Sequence, residues 1–246
     1  MILDDCLVNF RLQMDAPIIP SEPNDSAVRI RGEVVLTGDD NGEHVAGTVR
    51  AYLVSPCDGE EHGFNLWDIL DDDGVLAEYL SVVDDAGEWS PQVQEICDEA
   101  CSGTQLLIVD RLEVDQKYRG NRLGLLAIRK LIDILGEQCS IVVIKPIPLQ
   151  FLHYKDRDWV RPEGMDDPEK AFEAARRTLA EYWGIAGFEP LEGTELLVLN
   201  PGLRQPSLKE LADPRPAASE IGADPFLPSK EVPQNQRLRH SHKHTR

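Results

Sequence analysis

The chain has 246 residues, of which 41% are hydrophobic and 28% charged, a composition typical of a globular protein with a sizeable core. Its formal net charge is −19, and so acidic a surface repels the phosphates of nucleic acids. The longest apolar runs are too short to span a bilayer, and Met1–Asp5 is acidic where a signal peptide needs positive charge. We therefore expect a cytoplasmic protein without nucleic-acid or membrane partners.

The first predicted elements form a β-hairpin. Val28–Val34 alternates apolar and polar residues, as a strand with one buried face does. Gly38–Gly42 is rich in turn-forming residues, and Val45–Val54 returns as the second strand. A helical stretch over Phe64–Val83 follows, with a break at Asp71–Gly74.

The next elements predict a strand–helix–strand unit. A helix opens at Ser90-Pro91, which provide an N-cap and a proline in the first turn, and it ends at Gly103. Leu106–Val114 is the central strand, apolar on both faces in its first half and alternating in its second. The amphipathic segment Arg122–Leu135 is the following helix, and Ile141–Ile144 is the next strand. Because a helix connects these two strands, we expect them to be parallel.

The predicted domain ends at residue 202. Before that point, Asp167-Pro168 caps a helix over Glu169–Trp183, and Leu196–Leu199 is a last strand. Residues 203–246 contain six prolines, few large apolar side chains and a basic end with histidines, which predicts a disordered tail. The tail carries eight Lys and Arg against five Asp and Glu, which leaves −22 on the first 202 residues. The chain is therefore divided into a domain over 1–202 and a tail over 203–246.

The cysteines predict neither disulfides nor a metal site. They are five in number and widely spaced, which favours small buried side chains in a reducing compartment. A zinc site needs closer cysteine pairs or neighbouring histidines, which these cysteines lack.

The most informative segment is Tyr118–Gly124, which joins the central strand to the amphipathic helix. A strand, a glycine-bearing turn and a helix start direct unpaired backbone N–H groups and the positive end of the helix dipole toward an anion. Arg119 and Arg122 add two cations to this turn. The sequence therefore predicts a phosphate-binding turn beside a parallel strand pair. A P-loop is disfavoured because no Lys-Ser/Thr follows the glycines. A dinucleotide fold is disfavoured because the third glycine of its motif is missing.

Two motifs resemble those of the GNAT superfamily of acyl-CoA N-acyltransferases. Leu112–Gly124 resembles the acetyl-CoA motif, which reads Gln/Arg-x-x-Gly-x-Gly/Ala after a Leu-x-Val strand. Tyr182–Phe188 is similar to the later Phe-Tyr-x-x-x-Gly-Phe signature, and the order of elements agrees from Leu106 to Leu199. The resemblance implies an α/β, GNAT-like fold with a mixed central sheet, helices on both faces and a helical insertion before the central strand.

The resemblance also implies acetyl-CoA as a cosubstrate, bound in a notch between the two central parallel strands. The backbone of Leu112 and Val114 would bind the pantetheine arm. The pyrophosphate would be bound through N–H groups of the turn, at Arg119, Gly120, Asn121, Arg122, Leu123 and Gly124. An amine would attack the thioester directly, and a strand N–H would stabilise the oxyanion.

Three side chains are candidates for catalysis. Asp110 and Glu113 lie on the strand that would reach the acetyl group, and simple alternation predicts that they point to opposite faces. Tyr182 stands one residue before the position of the family's general-acid tyrosine, which is Trp183 here. Since one residue turns a helical side chain by about 100°, packing of Tyr182 in the core is the alternative to a catalytic role. Arg122 replaces the motif's middle glycine, where it either helps to hold phosphate, if its φ is helical, or crowds it.

The residues together predict an acetyl-CoA-dependent N-acetyltransferase that transfers the acetyl group directly to an amine. The sequence does not select among small-molecule and peptide amines as acceptors, and it leaves the oligomeric state open. Arg122 and Trp183 favour the alternative, a catalytically inactive GNAT-like module that binds acyl-CoA or has a regulatory role.

Overall fold

A computed structural model describes residues 7–38, 42–97, 103–151 and 165–213 of the chain. They form a mixed α/β fold around a seven-stranded sheet with the order β1-β2-β3-β4-β5-β7-β6. In chain order the strands are β1 Leu7–Asp15, β2 Ala27–Thr37, β3 Glu43–Val54, β4 Gln105–Val114, β5 Cys139–Ile144, β6 Glu189–Pro190 and β7 Leu197–Leu199. Strands β4 and β5 pair in parallel, and the other neighbours in this described sheet pair antiparallel.

Helices connect and cover the strands. The α-helices of the described residues are α1 Pro56–Glu61, α2 Leu66–Asp71, α3 Pro91–Cys97, α4 Leu123–Leu135, α5 Pro168–Gly184 and α6 Leu208–Ala212. A 3-10 helix, Leu76–Val82, follows α2, so the described residues between β3 and β4 contain four helical segments. Across the described ranges, we find no helix with the length and apolar character needed to cross a bilayer.

The predicted hairpin and the predicted central unit are confirmed. Strands β2 and β3 pair antiparallel, and β4, α4 and β5 form the strand–helix–strand unit with parallel strands. The second half of the helix predicted over Phe64–Val83 is 3-10 rather than α-helical. Strand β1 is missing from the predicted elements, although its apolar residues alternate with polar ones. Residues 39–41 and 98–102, within the predicted turn and the predicted third helix, lie outside the described residues.

The core has two parts, one on each face of the sheet. We call the face covered by α4 the α4 face and the opposite face the α2 face. On the α4 face, side chains of β2, β3, β4, β5 and β7 pack against α4, Trp183 and Leu211. On the α2 face, side chains such as Leu106 and Ile108 pack against α2, the 3-10 helix and α3. Helices therefore cover both faces of the mixed sheet.

The first residues of the predicted tail are structured, which corrects the expectation of disorder from residue 203 onward. Ser207 caps α6 by accepting a hydrogen bond from the N–H of Glu210, whose carboxylate accepts one from the N–H of Ser207. Leu211 is 1% exposed and belongs to the core of the α4 face. One buried leucine anchors this short helix, a signal too weak to stand out in a proline-rich segment. Residues 214–246 lie outside the described residues, so disorder there stays a prediction.

We expect Leu211→Ala to lower the free energy of unfolding by about 2–4 kcal/mol, because it removes a buried leucine from the core. Urea denaturation of the full chain measures this change. Leu208 lies on the same helix but is 36% exposed, so Leu208→Ala is the matched control. That control should cost less than about 0.5 kcal/mol. Equal effects of the two substitutions would show that α6 does not dock on the core.

Candidate functional site

Strands β4 and β5 diverge at one end, which leaves one edge of β4 unpaired. Their parallel pairing ends at Val109 and Ile144. Strand β4 continues to Val114 and, among the described strands, pairs there only with β3, in a register that matches Gly47 with Val114. Over residues 110–114, the edge of β4 that faces β5 is therefore open within the described sheet.

The backbone groups at this open edge belong to Leu112 and Val114. The N–H of Asp115 donates to the carbonyl of Ala46 on the β3 side at 2.9 Å. Because neighbouring residues of a strand direct their backbone groups to opposite edges, Glu113 faces β3 as well, whereas Leu112 and Val114 face the open edge. In agreement, the carbonyl of Val114 accepts a hydrogen bond from Nε of Arg119 at 3.0 Å.

A β-bulge at Asp110 changes which side chains share a face. Arg50 of β3 pairs with Arg111, but the next pair is formed with Val109, so Asp110 is an extra residue in β4. Beyond the bulge, Leu112 and Val114 pack on the α4 face, where Val109 also lies.

Glu113 therefore points to the α2 face. Asp110 points there too, since it pairs with Arg50, whose strand neighbour Tyr52 packs on the α2 face. The prediction that Asp110 and Glu113 point to opposite faces is wrong, because simple alternation cannot anticipate a bulge.

The turn before α4 presents a row of backbone donors. The N–H groups from Gly120 to Gly124 have no hydrogen-bond acceptor within the described part of the chain. Gly120 has a φ of +79°, a left-handed conformation that suits glycine, and a Cβ there would meet no atom within 4 Å. Asn121 stabilises the turn, since its side-chain amide donates to the carbonyls of Tyr118 and Arg119 at 3.0 and 3.4 Å. The turn thus combines free donors with open space around Gly120.

Arg122 does not have the helical φ that would suit the turn best. Its φ is +58°, in the left-handed region, at the residue that caps the start of α4. Its side chain extends to the C-terminal segment, where Nη1 donates to the carbonyls of Leu211 and Asp213 at 3.2 and 2.9 Å. Arg122 therefore connects the predicted phosphate turn to α6.

Tyr182 packs at the start of α4, close to Leu112 of β4. Its hydroxyl accepts a hydrogen bond from the N–H of Leu125 at 3.2 Å. A Cβ on Gly124 would lie 2.9 Å from that hydroxyl, so glycine is required here by close approach. Burial raises the pKa of Tyr182 to about 12, against the effects of the Leu125 hydrogen bond and the Arg122 charge. These contacts agree with a packing role for Tyr182. Because its pKa is raised to about 12, the phenol is neutral at physiological pH.

The structure distributes the predicted site residues over two faces. Leu112, Val114 and the turn from Arg119 to Gly124 lie together with Tyr182 near the start of α4. Asp110 is on the α2 face in an ion pair with Arg50, and Glu113 is exposed to solvent. Among the described residues, we find no cluster of three or more side chains suited to holding a metal ion.

Sequence patterns did not point to the polar partners on the α2 face. Arg50 is one of many charged residues in an alternating strand, and Tyr79 stands among apolar residues at helical spacing. Lys145 precedes a proline, a pattern that marks the end of a strand rather than a site. These three side chains lie on one face because of the way β3, β4 and β5 pair, and single-sequence patterns do not determine that pairing.

Comparison with protein-family models, curated proteins and solved structures finds no match for this chain. The resemblance to GNAT acyltransferases therefore rests on the residues of the two motifs.

We expect Arg122→Gly to be more stable than Arg122→Ala by about 1 kcal/mol, because both lose the bonds to the carbonyls but only glycine adopts φ +58° without strain. Urea denaturation of the two variants measures the difference. Equal stabilities would contradict the left-handed conformation at this residue.

We expect Tyr182→Phe to cost about 1 kcal/mol at neutral pH, since the N–H of Leu125 loses its acceptor. The folded pKa of Tyr182, about 12, is above the ordinary value of 10.0. Its contribution to stability is therefore complete below pH 10 and decreases as the pH rises toward 12. Unfolding followed over this range should show the wild type losing its advantage over Tyr182→Phe. A constant difference between the two proteins would contradict the burial of this phenol.

Proposed function

We propose that this protein is an acetyl-CoA-dependent N-acetyltransferase with a GNAT-like fold. The observation that carries the proposal is the open edge of β4 next to the unpaired N–H groups of the turn before α4. An extended pantetheine arm can pair with such an edge, and a diphosphate can accept hydrogen bonds from such a turn. These two features adjoin each other, as the bond from Arg119 to Val114 shows.

The cofactor would be held mainly by backbone groups. Leu112 and Val114 would pair with the amides of the pantetheine arm, while the N–H groups from Gly120 to Gly124 would bind the diphosphate. Arg119 adds a cation at the turn, and its bond to Val114 fixes the guanidinium beside the open edge. The guanidinium of Arg122 is engaged with α6, so its backbone N–H rather than its charge would contribute.

The reaction would take place where β4 and β5 diverge. A neutral amine nitrogen would attack the thioester carbonyl carbon, forming a C–N bond, and the C–S bond would then break. Coenzyme A would leave as the thiolate and gain the proton that the amine nitrogen loses. A backbone N–H at the bulge could stabilise the oxyanion, and most of the rate enhancement would come from positioning the reactants.

The alternative function is a catalytically inactive module of the same fold that binds acyl-CoA or regulates a partner. Two observations favour it. Trp183, at the position of the family's general acid, is 4% exposed and packs in the core of the α4 face. The neighbouring hydroxyl of Tyr182 is engaged with the N–H of Leu125. Both side chains are thus engaged within the protein.

We expect wild-type protein to bind acetyl-CoA and Arg119→Glu to bind it at least about tenfold more weakly, because a cation beside the diphosphate becomes an anion. Isothermal titration calorimetry measures both affinities. Lys130→Glu makes the same change of charge at an exposed residue of α4 and should change the affinity by less than about twofold. Equal losses in both variants would indicate a general charge effect rather than this site.

Activity is tested by following thiol release from acetyl-CoA with a panel of primary amines. Release that depends on an amine and falls in Arg119→Glu supports the acetyltransferase. Binding of acetyl-CoA without release with any amine of the panel supports the inactive module. Absence of binding by a folded wild-type protein would refute the acetyltransferase and the acyl-CoA-binding module, and would leave only a regulatory module that does not bind the cofactor.

A further inference from the structure

Two ionisable side chains stand side by side directly after β4 and β5 diverge. Val109 and Ile144 are the last paired residues, so Asp110 and Lys145 occupy equivalent positions one residue further on. Asp110 points to the α2 face, where it forms an ion pair with Arg50 of β3. Lys145 points there as well, because it contacts a carboxylate of the 3-10 helix.

Lys145 is held by two carboxylates that remain accessible. Its Nζ lies 3.0 Å from Glu78 of the 3-10 helix and 3.3 Å from Glu195, which precedes β7. Burial opposes its charge, but the two carboxylates outweigh burial and raise the pKa of Lys145, so it is protonated at neutral pH. The side chains of Glu78 and Glu195 are 48% and 56% exposed, which leaves acceptor oxygens free for a ligand.

Tyr79 is on the same face as these groups, and its hydroxyl has no hydrogen-bond partner among the described residues. Tyr79 is 1% exposed and packs in the core of the α2 face, directly after Glu78 in the 3-10 helix. Burial and then the carboxylates of Asp110 and Glu78 raise the pKa of Tyr79 well above its ordinary value, which keeps the phenol neutral. No hydrogen bond is made by this hydroxyl to any other part of the described chain. Its oxygen is not among the fully buried polar atoms that lack a partner, so it keeps some contact with solvent and a ligand can reach it.

The charges of this cluster favour a cationic ligand. Asp110, Glu78 and Glu195 provide three carboxylates, whereas Arg50 and Lys145 provide two cations, each already paired. An added ammonium group would find free carboxylate oxygens, while an added carboxylate would face three like charges. The overall charge of −19 acts in the same direction by attracting cations to the protein.

We propose that the α2 face at this divergence binds the amine acceptor, and that the acceptor is a diamine or polyamine. The inference rests on the proposed acetyltransferase function, which places the thioester at the same divergence. One amino group would lie between Tyr79 and Asp110 and react in its neutral form. A second amino group stays charged and binds Glu78 and Glu195. The cofactor and the acceptor thus approach from opposite faces of the sheet.

The test compares 1,4-diaminobutane with 4-aminobutanoate, which has a carboxylate in place of one amino group. Both are titrated calorimetrically into the full-length protein, with and without coenzyme A. We expect the diamine to bind at least about tenfold more tightly than the amino acid. Equal affinities, a preference for 4-aminobutanoate, or no binding of the diamine at millimolar concentration would overturn the proposal.

Two substitutions connect this preference to the cluster. Asp110→Asn and Tyr79→Phe should each weaken diamine binding by about fivefold or more while leaving the acetyl-CoA affinity unchanged. Tyr79→Phe should also keep the stability of the wild type, because the hydroxyl has no partner to lose. Asp133→Asn is the matched control, since Asp133 pairs with an arginine on α4, on the opposite face. An equal loss in that control would assign the preference to net charge and overturn the site.

The outcomes separate this inference from the proposed function. A wild-type protein that binds acetyl-CoA but shows no preference for the diamine refutes the acceptor site alone. One that binds the diamine selectively but not acetyl-CoA supports the cationic site and refutes the acetyltransferase.

Discussion

The divergence of β4 and β5 is the constraint on which the candidate site depends. Two parallel strands share five aligned residue pairs and then separate, while β3 continues to hold β4 on its other side. Separation leaves backbone groups of Leu112 and Val114 without a strand partner among the described residues; Arg119 donates to the carbonyl of Val114, and the remaining groups need a ligand or water. The bulge at Asp110 lies at the same point, and it reorients every later side chain of β4. The open backbone edge of β4 and the polar cluster on the α2 face thus arise from the same local irregularity.

The start of α4 is held by groups that lie far away in the sequence. Tyr182 approaches Gly124 and accepts from the N–H of Leu125, and Arg122 binds the carbonyls at the end of α6. These contacts use one helical N–H and one guanidinium, but they leave the N–H groups of the turn itself unpaired. The turn is therefore preorganised by its surroundings, which would reduce the entropy lost on binding the proposed diphosphate.

Much of the central fold could be predicted from the sequence, because its signals are local. The unit β4–α4–β5 has two short apolar runs on either side of an amphipathic segment, and the glycine-bearing turn marks the helix start. The bulge at Asp110 and the left-handed φ of Arg122 depend on tertiary contacts with β3 and α6, which no local pattern encodes. Strand β1 differs, since its period of two is visible at Phe10 and Leu12, and its residues could have been assigned.

In the candidate site too, local segments could be predicted from the sequence and tertiary contacts could not. The predicted phosphate turn is a continuous segment, so its residues could be named together from the sequence. The cluster of Arg50, Tyr79 and Lys145 comes from three separated segments, and it becomes visible only when the register of β3, β4 and β5 is known. Asp110 was a catalytic candidate from the sequence and also belongs to this cluster, but the sequence could not indicate that Arg50 pairs with it.

The sheet order has a consequence for synthesis of the chain on the ribosome. Strand β5 lies between β4 and β7, and β7 consists of Leu197–Leu199, far along the chain. Until those residues emerge, the nascent polypeptide carries strand Cys139–Ile144, which is buried throughout in the folded protein, with one strand edge uncovered. Such an edge is a template for pairing with other chains, so the nascent chain is exposed to aggregation and to chaperones until Leu197–Leu199 are synthesised.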